Sequence, residues 1–153
     1  TFNNNWNSSS QVAVLVSNFI TGAVPESKDL TQATFNNCII YGSYSNEMLL
    51  NKKATSVFNY QFNHCLLKFN NSSNLFTNDP LYKFETDATH YSGIILNKDP
   101  KFFKVNQNQL YIDNTSAAFA KGNLSYLIPL DILGTSRTLP PDLGAYHNKA
   151  FPK

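Results

Sequence analysis

The chain has 153 residues, a formal net charge of +2 and only 14% charged residues, with no run of like charge. That length suits one domain or a piece of one, and the balance excludes both the basic stripe of a nucleic-acid binder and the basic amphipathic helix of a membrane-surface protein. Apolar runs of no more than about six residues fall far short of the ~20 that a membrane-spanning helix requires.

Twenty-one asparagines, 12 Phe and 8 Tyr favour tight turns and strands. Short runs bounded by turn residues predict strands over Gln11 to Ile20, Thr34 to Tyr41, Glu47 to Leu50, Ser56 to Phe62, Cys65 to Phe69, Tyr91 to Leu96 and Leu110 to Ile112. Clusters such as Asn70-Asn71-Ser72-Ser73-Asn74 separate them. No stretch shows capped 3.6-residue periodicity, so almost no α-helix is expected.

One pattern returns along the chain. Thr1-Phe2-Asn3-Asn4-Asn5 recurs as Thr34-Phe35-Asn36-Asn37-Cys38 and again as Gln61-Phe62-Asn63-His64-Cys65. Self-similarity with a period of roughly 20–50 residues marks stacked repeats that bury their apolar faces only against one another. Aligned, Phe2, Phe35 and Phe62 should stack inside, and Asn3, Asn36 and Asn63 should form an amide ladder. Asn4, Asn37 and His64 should share a left-handed bend, since Asn and His tolerate positive φ. Asn5, Cys38 and Cys65 should turn inward, followed by Ile40 and Leu67. A bend with an Asn column feeding a short strand with an aliphatic interior is what a parallel β-helix requires.

Cys38 and Cys65 admit two readings, a disulfide between neighbouring coils or stacked reduced thiols. The reduced reading is preferred, because neighbouring parallel strands seldom aim two side chains into disulfide geometry. Without a nearby His pair they lack the spacing of a metal site. Further on, Asn78-Asp79-Pro80-Leu81-Tyr82 and Lys98-Asp99-Pro100-Lys101-Phe102 are two copies of a turn start, each placing an aromatic to fold onto the core.

The last third carries Asp99-Pro100-Lys101-Phe102, Leu110, Ser116-Ala117-Ala118 and Lys121-Gly122. It continues with Asp131-Ile132-Leu133-Gly134-Thr135-Ser136-Arg137 and Pro141-Asp142-Leu143-Gly144-Ala145-Tyr146. In order and spacing this resembles the ending of secreted right-handed parallel β-helix proteins of the pectin-lyase-like superfamily, over roughly residues 78 to 147. Ala117 stands where that pattern has Pro, and His147 where it has Glu. The Asn-, Lys- and aromatic-rich style resembles surface and secreted proteins of Bacteroidetes. The resemblance implies an all-β fold in one domain, with coils over residues 1–77 that continue upstream of Thr1, and last coils plus a closing cap over 78–153. It also implies a secreted, outer-membrane or other bacterial cell-surface location. A shared scaffold does not carry an activity with it.

Candidate chemistry is sparse. The 10 acidic residues are scattered, and Glu85, Asp87 and His90 form the one local cluster, more readily a solvated loop than a catalytic site. A calcium-dependent lyase needs clustered carboxylates beside a Lys or Arg base, and a glycosidase needs two facing carboxylates. Calcium is therefore expected only if the chain belongs to a lyase, and otherwise no cofactor. Asp131, Arg137 and Asp142 fit a structural closure, Arg137 bridging carboxylates or backbone carbonyls while Gly134 and Gly144 turn the chain. Tyr41, Tyr44 and Tyr60, at strand ends or loops, are candidates for sugar contact or for packing of loops on the flank. The expectation is a non-catalytic surface module that binds carbohydrate or another surface component, its partners including upstream coils of the same protein. The alternatives are part of a polysaccharide lyase or glycoside hydrolase with its catalytic coils upstream, and a structural subunit of a surface assembly.

Overall fold

The computed structural model describes residues 1–5, 11–22 and 24–152. Trp6 and Asn7, where the first repeat departs from the pattern, lie outside the described residues. Among those described, the regular structure is strand with three 3-10 turns, and there is no α-helix. Eleven short strands are present: β1 (Phe2–Asn4), β2 (Val14–Ser17), β3 (Phe19–Ile20), β4 (Glu26–Ser27), β5 (Leu30–Asn36), β6 (Ile39–Gly42), β7 (Met48–Asn51), β8 (Phe58–Asn63), β9 (Leu66–Leu67), β10 (Tyr91–Ser92) and β11 (Ile95–Leu96).

Three sheets are parallel, ordered β1-β6-β9-β11, β5-β8-β10 and β2-β7, while β3 and β4 form an antiparallel hairpin. Parallel pairing of successive copies places like residues side by side: Phe35 beside Phe62 beside Tyr91, and Ile39 beside Leu66 beside Ile95. The rings follow the register. Phe35 and Phe62 stack at 4.6 Å with planes 5° apart, and Phe62 and Tyr91 at 5.9 Å and 15°. Each such pair adds about 0.5–1.5 kcal/mol beyond its area burial.

Between the two sheets the chain bends at residues with positive φ: Asn37 (51°), His64 (50°) and Gly93 (61°). The bend divides each long predicted strand in two, Thr34 to Tyr41 at Asn37 and Tyr91 to Leu96 at Gly93. A Cβ on Gly93 would also lie 2.8 Å from the His64 ring, so this position needs glycine both for φ and for space. Beside the bend, Asn63 Nδ2 donates to Asn36 Oδ1 at 2.9 Å, one rung of an amide ladder.

The first copy does not join this alignment. β1 pairs with β6, putting Phe2 beside Ile40 and Asn4 beside Gly42, whereas alignment of the copies would put them beside Phe35 and Asn37. Phe2 is 39% exposed and meets Phe35 edge-on, Asn5 is exposed, and the buried Asn3 Oδ1 has no partner. The reason lies in Glu47, which is fully buried. Its carboxylate accepts from Asn4 Nδ2 (3.3 Å), Ala13 N (3.0 Å) and Tyr44 N (2.7 Å). A buried carboxylate needs such donors, and Asn4 supplies one only in this register.

The three parallel sheets meet in one apolar cluster built from Val14, Val16, Ile40, Met48, Leu50, Phe58, Phe62, Leu67 and Tyr91. A second cluster lies on the opposite face of β6-β9-β11, where Ile39 and Leu66 pack against Ile112, Ala118 and Leu143. From residues 97–152, Ile112, Ala118 and Leu143 therefore cover the outside of that sheet. Leu110 to Ile112 is not a strand. It is tied by Phe103 N to Tyr111 O (3.1 Å) and Lys149 N to Ile112 O (2.9 Å), and its purpose is to bury Ile112. Gln11 to Ile20 forms β2 and β3, interrupted at Asn18, whose buried amide holds the backbone of Lys53, Ser56 and Val57.

Candidate functional site

β8 alternates buried Phe58, Tyr60 and Phe62 with exposed Asn59 and Gln61. The outward residues of β5 are Thr31, Gln32 and Thr34. Two β5 residues oppose the single Asn59, a bulge between Leu30 and Ala33 that Asn59 spans by donating to Thr31 O at 3.2 Å. Bulges re-aim side chains and commonly lie beside sites. Over this face runs an open groove of about 330 Å³, lined by these residues with Ala33, Tyr60, Gln61, Thr89 and His90.

His90 ends the groove. Its ring stacks on Tyr60 at 4.2 Å and 21°. His90 Nδ1 lies 2.6 Å from Asp87 Oδ2, and Asp87 Oδ1 accepts from Thr89 N (3.1 Å) and His90 N (3.3 Å). Glu85 is not part of this group. It lines a separate cavity of about 540 Å³ with Phe69, Phe76, Tyr82 and Leu96. The three-residue cluster seen in sequence thus divides into a hydrogen-bonded Asp87–His90 pair and a carboxylate that lines a different cavity. Among the described residues no three His, Cys, Asp or Glu side chains come together to hold a metal ion.

The three candidate tyrosines have separate surroundings. Tyr60 is buried, contrary to its expected place at a strand end, because it points into the core and donates to Leu81 O (3.2 Å). Burial pushes its hydroxyl pKa up, and Tyr91, bonded to the same carbonyl, is raised for the same first reason. Tyr41 is half-buried under the second cluster with Lys68 Nζ 5.1 Å from its ring. Tyr44 is 38% exposed. Of the three, Tyr60 lines the groove beside His90.

Cys38 and Cys65 are unbridged. Each thiol meets backbone carbonyls, Cys38 that of Asn36 (3.3 Å) and Cys65 that of Phe35 (3.3 Å). The influence of the neighbouring Cys65 thiol holds Cys38 below the ordinary thiol range against the opposing effect of burial, while the pairing and burial push Cys65 up. A thiolate at Cys38 is therefore stabilised at the expense of its neighbour.

The C-terminal charged residues are engaged with backbone. Asp131 accepts from Leu133 N (2.9 Å), Thr135 N (2.8 Å) and His147 N (2.9 Å). Burial opposes its charge, but these three donors and the Arg137 charge outweigh that and hold its carboxyl below the ordinary range. Asp142 accepts from Ala120 N and Asn148 N, both at 2.9 Å, and lies 3.0 Å from His147 Nδ1. Arg137 donates to Gly144 O (2.8 Å) and Tyr146 O (3.2 Å), two carbonyls and, among the described residues, no carboxylate. Gly144, at φ 92°, gives its N–H to Asn37 O (2.7 Å). Asn123 binds the bend column itself, through Asn37 Oδ1 (2.8 Å) and His64 Nε2 (2.9 Å). Neither Glu47 nor Asn123 stands out in the sequence, since each is a lone polar residue among many.

No family profile, characterised protein or solved structure matches this chain. No helix among the described residues is long and apolar enough to cross a membrane.

Proposed function

We propose that the chain is part of a right-handed parallel β-helix of the pectin-lyase-like kind, secreted or displayed on a bacterial surface, and that it serves as a non-catalytic carbohydrate-binding module. The observation that carries the reading is the outward face of β5-β8-β10, where the exposed side chains Thr31, Gln32, Thr34, Asn59, Gln61 and Thr89 are all neutral hydrogen-bonding groups. Amides and hydroxyls both donate and accept, which is what a surface of sugar hydroxyls demands. The charged groups with chemical potential support the same reading. Asp131, Arg137 and Asp142 are committed to backbone partners that fix the C-terminal segment.

The β-helix reading draws support from the parallel register that repeats from Phe35 to Phe62 to Tyr91, and from the bend column. Among the described residues β1, β2 and β5 each pair on one side only, which suits further coils of the same protein stacked there. The alternative, part of a polysaccharide lyase or glycoside hydrolase, is favoured by one feature, the Asp87–His90 pair at the groove. An array of neutral and acidic polysaccharides, read for binding and for new reducing or unsaturated ends with and without Ca²⁺, decides between them. The module reading expects binding without turnover. Turnover abolished by Asp87→Asn would replace it with the enzyme reading.

A further inference from the structure

We propose that the groove over β5, β8 and β10 takes an uncharged glycan chain lying across the strands, and that His90 is the acceptor that fixes the position of one sugar ring. This rests on the carbohydrate-binding reading above and adds to it the site, the ligand class and a recognition residue.

The charge distribution selects the ligand class. The chain has 12 basic and 10 acidic residues, yet none of them lines this groove. A fixed charge facing a neutral ligand would lose its water without gaining a counter-charge. An acidic glycan, conversely, would find no Lys or Arg for its carboxylates. A lining of amides and hydroxyls pairs with hydroxyls at no such cost.

The spacing selects the direction. Thr34 and Gln61 are register partners on neighbouring strands, and Thr89 and His90 lead into the third strand. Neighbouring strands are about 4.8 Å apart, close to the length of one pyranose unit. A chain running across them meets a comparable set of donors and acceptors at each step. At the β5 bulge both Thr31 and Gln32 are exposed, which adds a second polar side chain to that edge of the groove.

His90 is prepared for one contact. One ring face is taken by Tyr60, and Nδ1 is held by Asp87, itself anchored by two backbone N–H groups. In the neutral ring, an Nδ1–H donated to the carboxylate leaves Nε2 as an acceptor. Nε2 has no protein partner among the described residues, and the side chain is 31% exposed. A sugar hydroxyl is the complementary donor.

The test is calorimetric titration of the chain with cellohexaose, xylohexaose, mannohexaose and hexagalacturonate. Binding of at least one neutral hexaose is expected, weakened about tenfold or more in the double variant Asn59→Ala/Gln61→Ala. His90→Phe, which keeps a ring on Tyr60 and removes Nε2, should weaken it about fivefold with little change in melting temperature. Binding of the acidic hexamer alone overturns the ligand class. Neutral binding unchanged in both variants overturns the groove while leaving the carbohydrate-binding reading in place. Binding of no glycan at all removes that reading and this proposal together.

Discussion

Along residues 30–96 like side chains repeat and stack, whereas from residue 97 onward no strand recurs among the described residues and the backbone is held by scattered backbone hydrogen bonds together with individual polar side chains. In the first region Phe35, Phe62 and Tyr91 form a column, each ring ordered by the one below. In the second, Asp131, Asp142 and Arg137 each gather two or more backbone groups from turns that no sheet would satisfy. The two regions meet on opposite faces of β6-β9-β11. The contrast teaches that burial of repeated apolar side chains sets the stack, while charge-assisted hydrogen bonds attach an irregular segment to it. Loss of one element should therefore affect the molecule very differently in the two regions.

The largest effect should come from the column. Phe62 is fully buried between Phe35 and Tyr91. Phe62→Ala removes both stacking partners and leaves a cavity, at a cost of about 3–5 kcal/mol. Chemical denaturation should show the whole chain destabilised in a single transition, with the C-terminal segment lost together with the sheets. A variant that loses only local order around residue 62 would show that the stack is not one cooperative unit.

A smaller and more local effect is expected from Arg137→Ala. Two carbonyls lose a charged donor, which costs about 1.5–3 kcal/mol. Hydrogen exchange should accelerate over residues 124–147, while amides of β8 and β9 keep their protection. Equal acceleration in both regions would erase the distinction between stack and attached segment.

The stacked region was the more legible of the two, and its legibility had limits that physics explains. The Phe-Asn-Asn and Phe-Asn-His copies placed the left-handed bend at Asn37 and His64 because few residues tolerate positive φ there. The next copy, Tyr91-Ser92-Gly93, escaped because every position differs in identity while keeping its physical role: ring, polar rung, permissive bend. Thr1 to Asn5 misled for the opposite reason. In a chain with 21 asparagines the same letters arise in another setting, and the demand of buried Glu47 decides the register. The groove was half legible. Alternation along Phe58 to Phe62 declared one face polar, but the bulge opposite Asn59 follows from pairing with a strand distant in the chain, which no local pattern encodes. Asp87 and His90 were visible as neighbours in sequence. Only the turn between them brings their side chains together and carries Glu85 into another cavity.

The smallest predicted effect uses acid to separate the regions without any mutation. The Asp131 carboxyl titrates below its ordinary value of 3.8 in the folded chain, against burial and because three backbone N–H groups and Arg137 favour the anion. An acid whose folded pKa is depressed contributes stability that is fully present above its unfolded pKa, near 3.9, and is lost as pH falls through the folded value. Protonation leaves the N–H groups of Leu133, Thr135 and His147 with a weaker acceptor. The column of Phe35, Phe62 and Tyr91 contains no group that gains a charge in this range. Between pH 5 and pH 2, corrected for intrinsic rates, exchange should therefore rise first in residues 131–147, with β8 unchanged until the segment has loosened. Asp131→Asn should start from the loosened state at pH 5 and flatten the dependence. If that variant keeps the pH profile of the unmodified chain, the carboxylate is not what holds the segment, and the two regions share one source of stability.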